Sequence, residues 1–250
     1  MIPKDEESAN KTDLIITEKV KRGENHLDLR QHFFRRRTPP DLETAVISEL
    51  LKIIVRHLMM NGENYRLKKM AHLVKGKRRV LDIGWVQLPN LFLSNHEVVG
   101  LDVEKREMLP NYTSSYRGDV MNLPEPFGPG AFDAVVAGEI IEHLERPLDF
   151  LRSCHQLLSL NGIIVLSTPN PNSPIERLLT LNLSRNFFYT QDHVVLFPQR
   201  WLIRMMEIAG FSDVKLYSAG IPIPFFGLLP FPRPWCYQTI AVAQRRPDAL

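Results

Sequence analysis

The sequence predicts an α/β protein: a doubly wound fold on a mostly parallel sheet. Three observations carry this expectation. Four short segments are β-branched and apolar almost throughout, as strands covered on both faces are. A clear amphipathic helix separates the third from the fourth, and strand–helix alternation is the mark of this architecture. Acids stand at or just past the ends of these segments, where ligands bind in such folds.

Residues 1–40 are rich in charge, lack periodicity and close on Thr38-Pro39-Pro40, so they read as a charged N-terminal arm. Its Arg35-Arg36-Arg37 run is either a solvated stretch or a docking patch for an anionic surface. Asp41 then suits an N-cap, with Leu42, Val46, Leu50, Ile53, Ile54 and Leu58 at helical spacing up to about Asn61-Gly62. Residues 41–75 are taken as a helical extension and 76–250 as the main domain. The four strands are Arg79–Gly84, Glu97–Asp102, Phe132–Ala137 and Gly162–Ser167. The helix between the last two starts at Pro147, carries Leu148, Leu151, Cys154, Leu157 and Leu158, and ends at Asn161-Gly162.

Beyond the fourth strand, Thr168-Pro169-Asn170-Pro171-Asn172-Ser173 is a turn segment. Ser173, Pro174 and Glu176 open a short helix in capping-box style. A further helix runs from about Pro198 to Ala209 and stops at Gly210. Val214–Tyr217 and Gln238–Ala243 read as closing strands, with a Pro/Phe-rich stretch, Ile221 to Trp235, between them. No internal repeat is visible.

The totals exclude several classes. At 250 residues with 44 % of the AVILMFWYC set, the chain builds a core without disulfides and is neither disordered nor collagen-like. Cys154 and Cys236 match no zinc or redox spacing and are expected as free, buried thiols in a reducing compartment. Thirty-one Lys and Arg against 28 Asp and Glu give 31 − 28 = +3, which does not point to nucleic acid. With no secretory leader and no apolar run of about 18 residues, the expectation is a cytoplasmic protein.

Several elements taken in order resemble the class I S-adenosylmethionine (SAM)-dependent methyltransferases. Val80-Leu81-Asp82-Ile83-Gly84 resembles the family's first-strand motif, Val99-Gly100-Leu101-Asp102 its second-strand end, and Gly118-Asp119-Val120 the acidic turn after a third strand that periodicity does not reveal. Phe132 to Leu144 resembles the fourth-strand motif, Leu158 to Pro169 the next strand, and His193 to Phe211 the late helix. The resemblance implies a Rossmann-like, seven-stranded sheet. It also implies SAM as cofactor: Asp102 on the ribose hydroxyls, Asp119 and the Val120 backbone at the adenine, Gly84 allowing close approach to the methionine part, and Asp82 orienting that turn or the amino group. Glu139 is counted with these cofactor residues. The chemistry agrees, because carboxylates suit a sulfonium, an ammonium and a ribose diol, whereas a dinucleotide pyrophosphate asks for a glycine-rich turn. Singly, each acid also fits a loop cap. The 20 residues between Asp82 and Asp102 favour the site reading.

The family's further glycines are missing: Gly84 is followed by Trp85-Val86-Gln87-Leu88-Pro89-Asn90. Either Trp85 packs on the cofactor in a reshaped loop, or it fills the site. The second case describes a catalytically degenerate methyltransferase-like scaffold that binds a partner.

For the acceptor, Glu139-x-x-Glu142-His143 puts two carboxylates and an imidazole on one face if the segment is helical. Such a set can act as a base or hold a divalent metal. The pattern is similar to that of ubiquinone-pathway O-methyltransferases and small-RNA 2′-O-methyltransferases. It implies a Mg²⁺-type or other divalent site of Glu139, Glu142, His143 and His193, with Glu142, His143 and His193 as catalytic candidates. Structural roles at a helix start are the competing reading. Segments 170–197 and 218–236, with Asn186-Phe187-Phe188-Tyr189 in the first, are expected to wall an acceptor pocket or cover the sheet. Residues 221–235 are also a candidate for peripheral membrane contact. The expected activity is O-methylation of a small-molecule, glycan or lipid-linked acceptor.

Overall fold

A computed structural model describes residues 62–123, 127–181, 192–223, 227–229 and 232–246. The arm, its arginine run, the helix expected to end near Asn61 and the Asn186–Tyr189 aromatics lie outside these residues. The described part opens in a helix (α1, 62–73), inside the region 41–75 taken as a helical extension and past the Asn61-Gly62 at which its first helix was expected to end. Leu67, Met70, Ala71 and Val74 form its buried stripe.

The strands are β1 (Arg79–Ile83), β2 (Glu97–Asp102), β3 (Ser114–Arg117), β4 (Phe132–Gly138), β5 (Leu158–Pro169), β6 (Phe211–Ser218), β7 (Ile221–Ile223), β8 (Gly227–Leu229) and β9 (Gln238–Arg245). Seven of them form one sheet in the order β3-β2-β1-β4-β5-β9-β6, and β7 and β8 pair as a separate hairpin inside the Pro/Phe-rich stretch. The pairings from β3 through β5 are parallel, and β9 alone runs against its neighbours β5 and β6. The order reverses between β1 and β4, which opens a crevice at their carboxyl ends. The expected doubly wound sheet is therefore present.

Both faces of the sheet are covered, which is why its strands read as unbroken apolar runs. On one side Leu81, Val99, Val135 and Ile164 pack with α2 (Pro147–Leu157) and α4 (Gln199–Ile208). On the other, Val80, Val98, Ala134 and Val165 pack with Met70 and Val74 of α1 and with Trp85. Both cysteines are free and buried, as expected.

Two local expectations need correction. Helix α2 ends at Leu157 rather than at Asn161, and the chain enters β5 at once, with Asn161 in the left-handed region (φ 65°). The short helix α3 spans Pro174–Thr180, but Ser173 Oγ is buried without a hydrogen-bond partner among the described residues, so its hydroxyl does not make the expected cap. β3 is the third strand that the resemblance implied, and periodicity did not reveal it because it is a polar edge strand with three of its four residues exposed. Among the described residues no helix is long and apolar enough to cross a membrane.

Candidate active site

The turn after β1 begins at Gly84, whose φ of +78° strains any side chain. A Cβ there would also lie 2.4 Å from Ile140 Cδ1, so the end of that side chain would have to turn aside. Trp85 turns away from this approach. It is 2 % exposed and packs in the core beneath the sheet, its ring 4.7 Å from that of Tyr112. Space for it comes from Gly100 on β2, where a Cβ would meet the indole at 2.7 Å. Neither expectation for Trp85 holds: it does not face the cofactor cleft and does not plug it. Its size drives it into the core, because a buried indole removes a large apolar area from water.

Asp82 sits inside β1, buried, and receives hydrogen bonds from the Tyr112 hydroxyl and from Asn90 N at 3.4 Å. Burial pushes its carboxyl up to about 6, against the hydrogen bond from Tyr112. It is tied to the loop that follows Gly84 through Asn90 N and is not among the residues that line the cleft.

The rim acids stand differently. Asp102 ends β2 half-exposed; Oδ2 accepts from Val86 N and Oδ1 from Glu104 N, each at 3.0 Å. Each carboxylate oxygen keeps a lone pair for a ligand hydroxyl. Asp119 is exposed and caps the short turn Val120–Asn122 through Oδ1, which accepts from Met121 N at 2.9 Å.

Glu139, just past β4, departs from expectation. It is left-handed (φ 55°), so residues 139–143 do not share a helical face. Its carboxylate turns back to the end of β5, where Ser167 Oγ donates to Oε1 at 2.9 Å. Arg66 of α1 completes this group: Nη1 donates to Ser167 Oγ at 2.7 Å, lies 3.9 Å from Glu139 Oε1, and pairs through its other nitrogens with Glu63. Gln238 Nε2 donates to Glu63 Oε1 at 3.1 Å. Burial alone would lower the Arg66 pKa, but Glu139 and Glu63 outweigh it and the guanidinium stays charged. It lies over the end of β4, where a Cβ on Gly138 would be 2.5 Å from Nη1. Arg66 and Glu63 are the residues that the sequence reading missed. The signal was an arginine in register with Met70 and Val74, four and eight residues on, where an apolar residue belongs.

Beside this group, Ile141–His143 forms a single 3₁₀ turn. The Glu142 carbonyl accepts from Val194 N at 2.8 Å and Val195 N at 3.1 Å, and His143 Nδ1 lies 2.8 Å from Asp192 O. A carbonyl only accepts, so Nδ1 carries the proton and Nε2 is the basic nitrogen of the neutral ring. These bonds bring the His193 ring within 4.9 Å of His143. Burial, and then His143, lower the His193 pKa, so its imidazole is neutral at pH 7. Ligand atoms of Glu142, His143 and His193 all lie within 4.8 Å of one another. Neither Glu142 carboxylate oxygen has a hydrogen-bond partner among the described residues, and burial plus the nearby Glu139 raise its pKa well above the carboxylate range. Of the four residues expected together, the structure gathers Glu142, His143 and His193, while Glu139 turns to Ser167.

A cleft of about 590 Å³ joins these parts at the strand ends. Gly84, Asp102, Asp119, Val120, Glu139 and His143 all line it, together with Glu63, Arg66 and Asp192. Asp82, Trp85, Glu142 and His193 stand behind its wall.

The sheet order with one reversed strand, and an acid-lined cleft at the point of order reversal, define a Rossmann-like fold of the class I SAM-dependent methyltransferase kind. The chain belongs to the methyltransferase-domain family, whose model matches residues 66–216. It is similar to a ubiquinone biosynthesis O-methyltransferase of Chromobacterium violaceum, 29 % identical over 107 residues that make up 38 % of this chain and 46 % of the relative. The chain thus spans less than half the length of the curated relatives it matches. Among solved structures it resembles a SAM-dependent methyltransferase, possible histamine N-methyltransferase, of Thermotoga maritima (TM-score 0.64, 16 % identity, 80 % of this chain and 96 % of that one). It also resembles a SAM-dependent methyltransferase of Archaeoglobus fulgidus (TM-score 0.58, 21 % identity, 73 % and 92 %). At these identities the structural likeness speaks for the fold alone.

Proposed function

We propose that the chain is an active SAM-dependent methyltransferase that methylates an oxygen on a small-molecule, glycan or lipid-linked acceptor. The observation that carries this is the open, acid-lined cleft, about 590 Å³, with Trp85 folded out of it. That volume falls within the usual small-molecule range of about 300–1,000 Å³. The donor set suits SAM: Asp102 for the ribose diol, Asp119 and the Val120 backbone for the adenine, Gly84 for close backbone approach. Arg66 is suited to the donor's carboxylate, and Glu63 and Glu139 to its ammonium group. When bound, SAM supplies an electrophilic methyl group.

The remaining work is the chain's own. His143 offers Nε2 to the cleft, with Nδ1 fixed on the Asp192 carbonyl, and is suited to take the acceptor's proton. His193 stands behind it as a positioning residue. In a second reading, Glu142, His143 and His193 would hold a divalent cation, with His143 Nε2 as a ligand instead of a base, and the cation would polarise the acceptor hydroxyl. One carboxylate and two imidazoles suit a borderline metal as well as Mg²⁺. The name of the Chromobacterium violaceum relative supports a phenolic acceptor of the quinone-precursor kind. The scaffold alternative is favoured by the altered glycine loop, and the burial of Trp85 outside the cleft supports the active reading over it.

The test uses methyl-labelled SAM and a panel of catechol acceptors. His143→Ala is expected to lower turnover by about 100-fold or more while leaving S-adenosylhomocysteine affinity unchanged. Equal losses in both would contradict the base assignment. EDTA is expected to reduce turnover and added Zn²⁺ or Mg²⁺ to restore it; indifference to chelation removes the cation.

A further inference from the structure

Helix α3 and its flanking residues turn polar groups inward and leucines outward. Glu176 is 1 % exposed and Ser173 is fully buried, whereas Leu178 and Leu181 are 70 % and 75 % exposed. Pro174, Arg177, Leu178 and Leu181 recur at i, i+3, i+4 and i+7, one helical face, and all four line an open hollow together with Trp235. Trp235 is 53 % exposed. A second hollow shares Asn172 with the first and carries Arg200 and Arg233. No acid lines either hollow. Arg177, Arg200 and Arg233 take part in no ion pair among the described residues.

Water does not explain two leucines and a tryptophan turned outward while a glutamate is buried behind them. We propose that this face docks on an anionic lipid bilayer. Leucine and tryptophan side chains enter the boundary between headgroups and acyl chains, and arginines beside them meet lipid phosphates. A second copy of the chain fits less well. A two-fold contact sets the same patch against itself and would bring arginines against arginines. The face also lies at the correct rim. α3 follows the carboxyl end of β5, and Trp235 precedes β9, whose start lies at that same end. A bilayer held there borders the rim that bears the cleft, so a membrane-resident acceptor approaches without leaving the lipid.

The experiment is co-sedimentation of the full chain with vesicles of phosphatidylcholine alone and of phosphatidylcholine with phosphatidylglycerol. Partition is expected with the anionic vesicles, weakened by salt. It is expected to fall about tenfold or more in Leu178→Asp/Leu181→Asp and in Arg177→Glu/Arg233→Glu. Melting and S-adenosylhomocysteine affinity of these variants report whether they fold, and loss of catalysis leaves this proposal untouched. In the otherwise unaltered chain, brominated phosphatidylcholine is expected to quench the emission contributed by Trp235, with Trp235→Phe as the reference. Absent partition, equal partition into both vesicles, or quenching unchanged by Trp235→Phe would overturn it. So would self-association by sedimentation velocity that Leu178→Asp/Leu181→Asp abolishes.

Discussion

Asp82 shows how a residue can match a motif and serve it indirectly. Its carboxyl is raised from 3.8 to about 6 by burial, so the folded chain binds this proton more tightly than the unfolded one. Its contribution to stability is therefore full below about pH 4 and is lost as pH rises through about 6. The window corresponds to about 3 kcal/mol. Asp82→Asn should remove that dependence. Urea denaturation at pH 4.5, 5.5 and 7 should give a stability difference between the two proteins that changes across the window; a constant difference would contradict the assignment. Glu139 and Glu142 are raised in the same sense, but they are present in both proteins and cancel. Most rim residues were legible: Asp102, Asp119 and Gly84 because strand ends and a positive-φ glycine leave marks in sequence. Arg66 was not placed at the site, since Glu139 and Ser167 lie 73 and 101 residues from it along the chain, and Gln238 reaches its neighbour Glu63 from 175 residues away. No spacing rule reaches that far.

At the scale of elements, the glycine-poor turn and β2 compensate one another. The tryptophan that follows Gly84 requires a glycine on the neighbouring strand, and Gly100 supplies it. Gly100→Ala should cost about 1–3 kcal/mol through overpacking. Combining it with Trp85→Leu should cost less than the sum of the two single changes. A double-mutant cycle by chemical denaturation checks this, and strict additivity would refute the fit. The strands were readable because burial on both faces imposes unbroken apolar runs. β3 was not, because a polar edge strand has no such run. The 139–143 segment misled for another reason: a left-handed residue at Glu139 separates two carboxylates that helical spacing would have aligned.

For the molecule as a whole, the sheet order fixes where a ligand sits, and the chemistry of that place follows from the acids at its rim. The fold class was legible from alternation alone, whereas the cleft's openness was not, because it depends on which way one indole turns. The most direct test is a calorimetric titration with S-adenosylhomocysteine. The wild-type chain is expected to bind one equivalent, and Asp102→Ala to weaken binding by about tenfold or more through lost ribose hydrogen bonds. A wild-type chain that gives no binding signal at millimolar ligand, or an Asp102→Ala chain that binds equally well, would contradict the account.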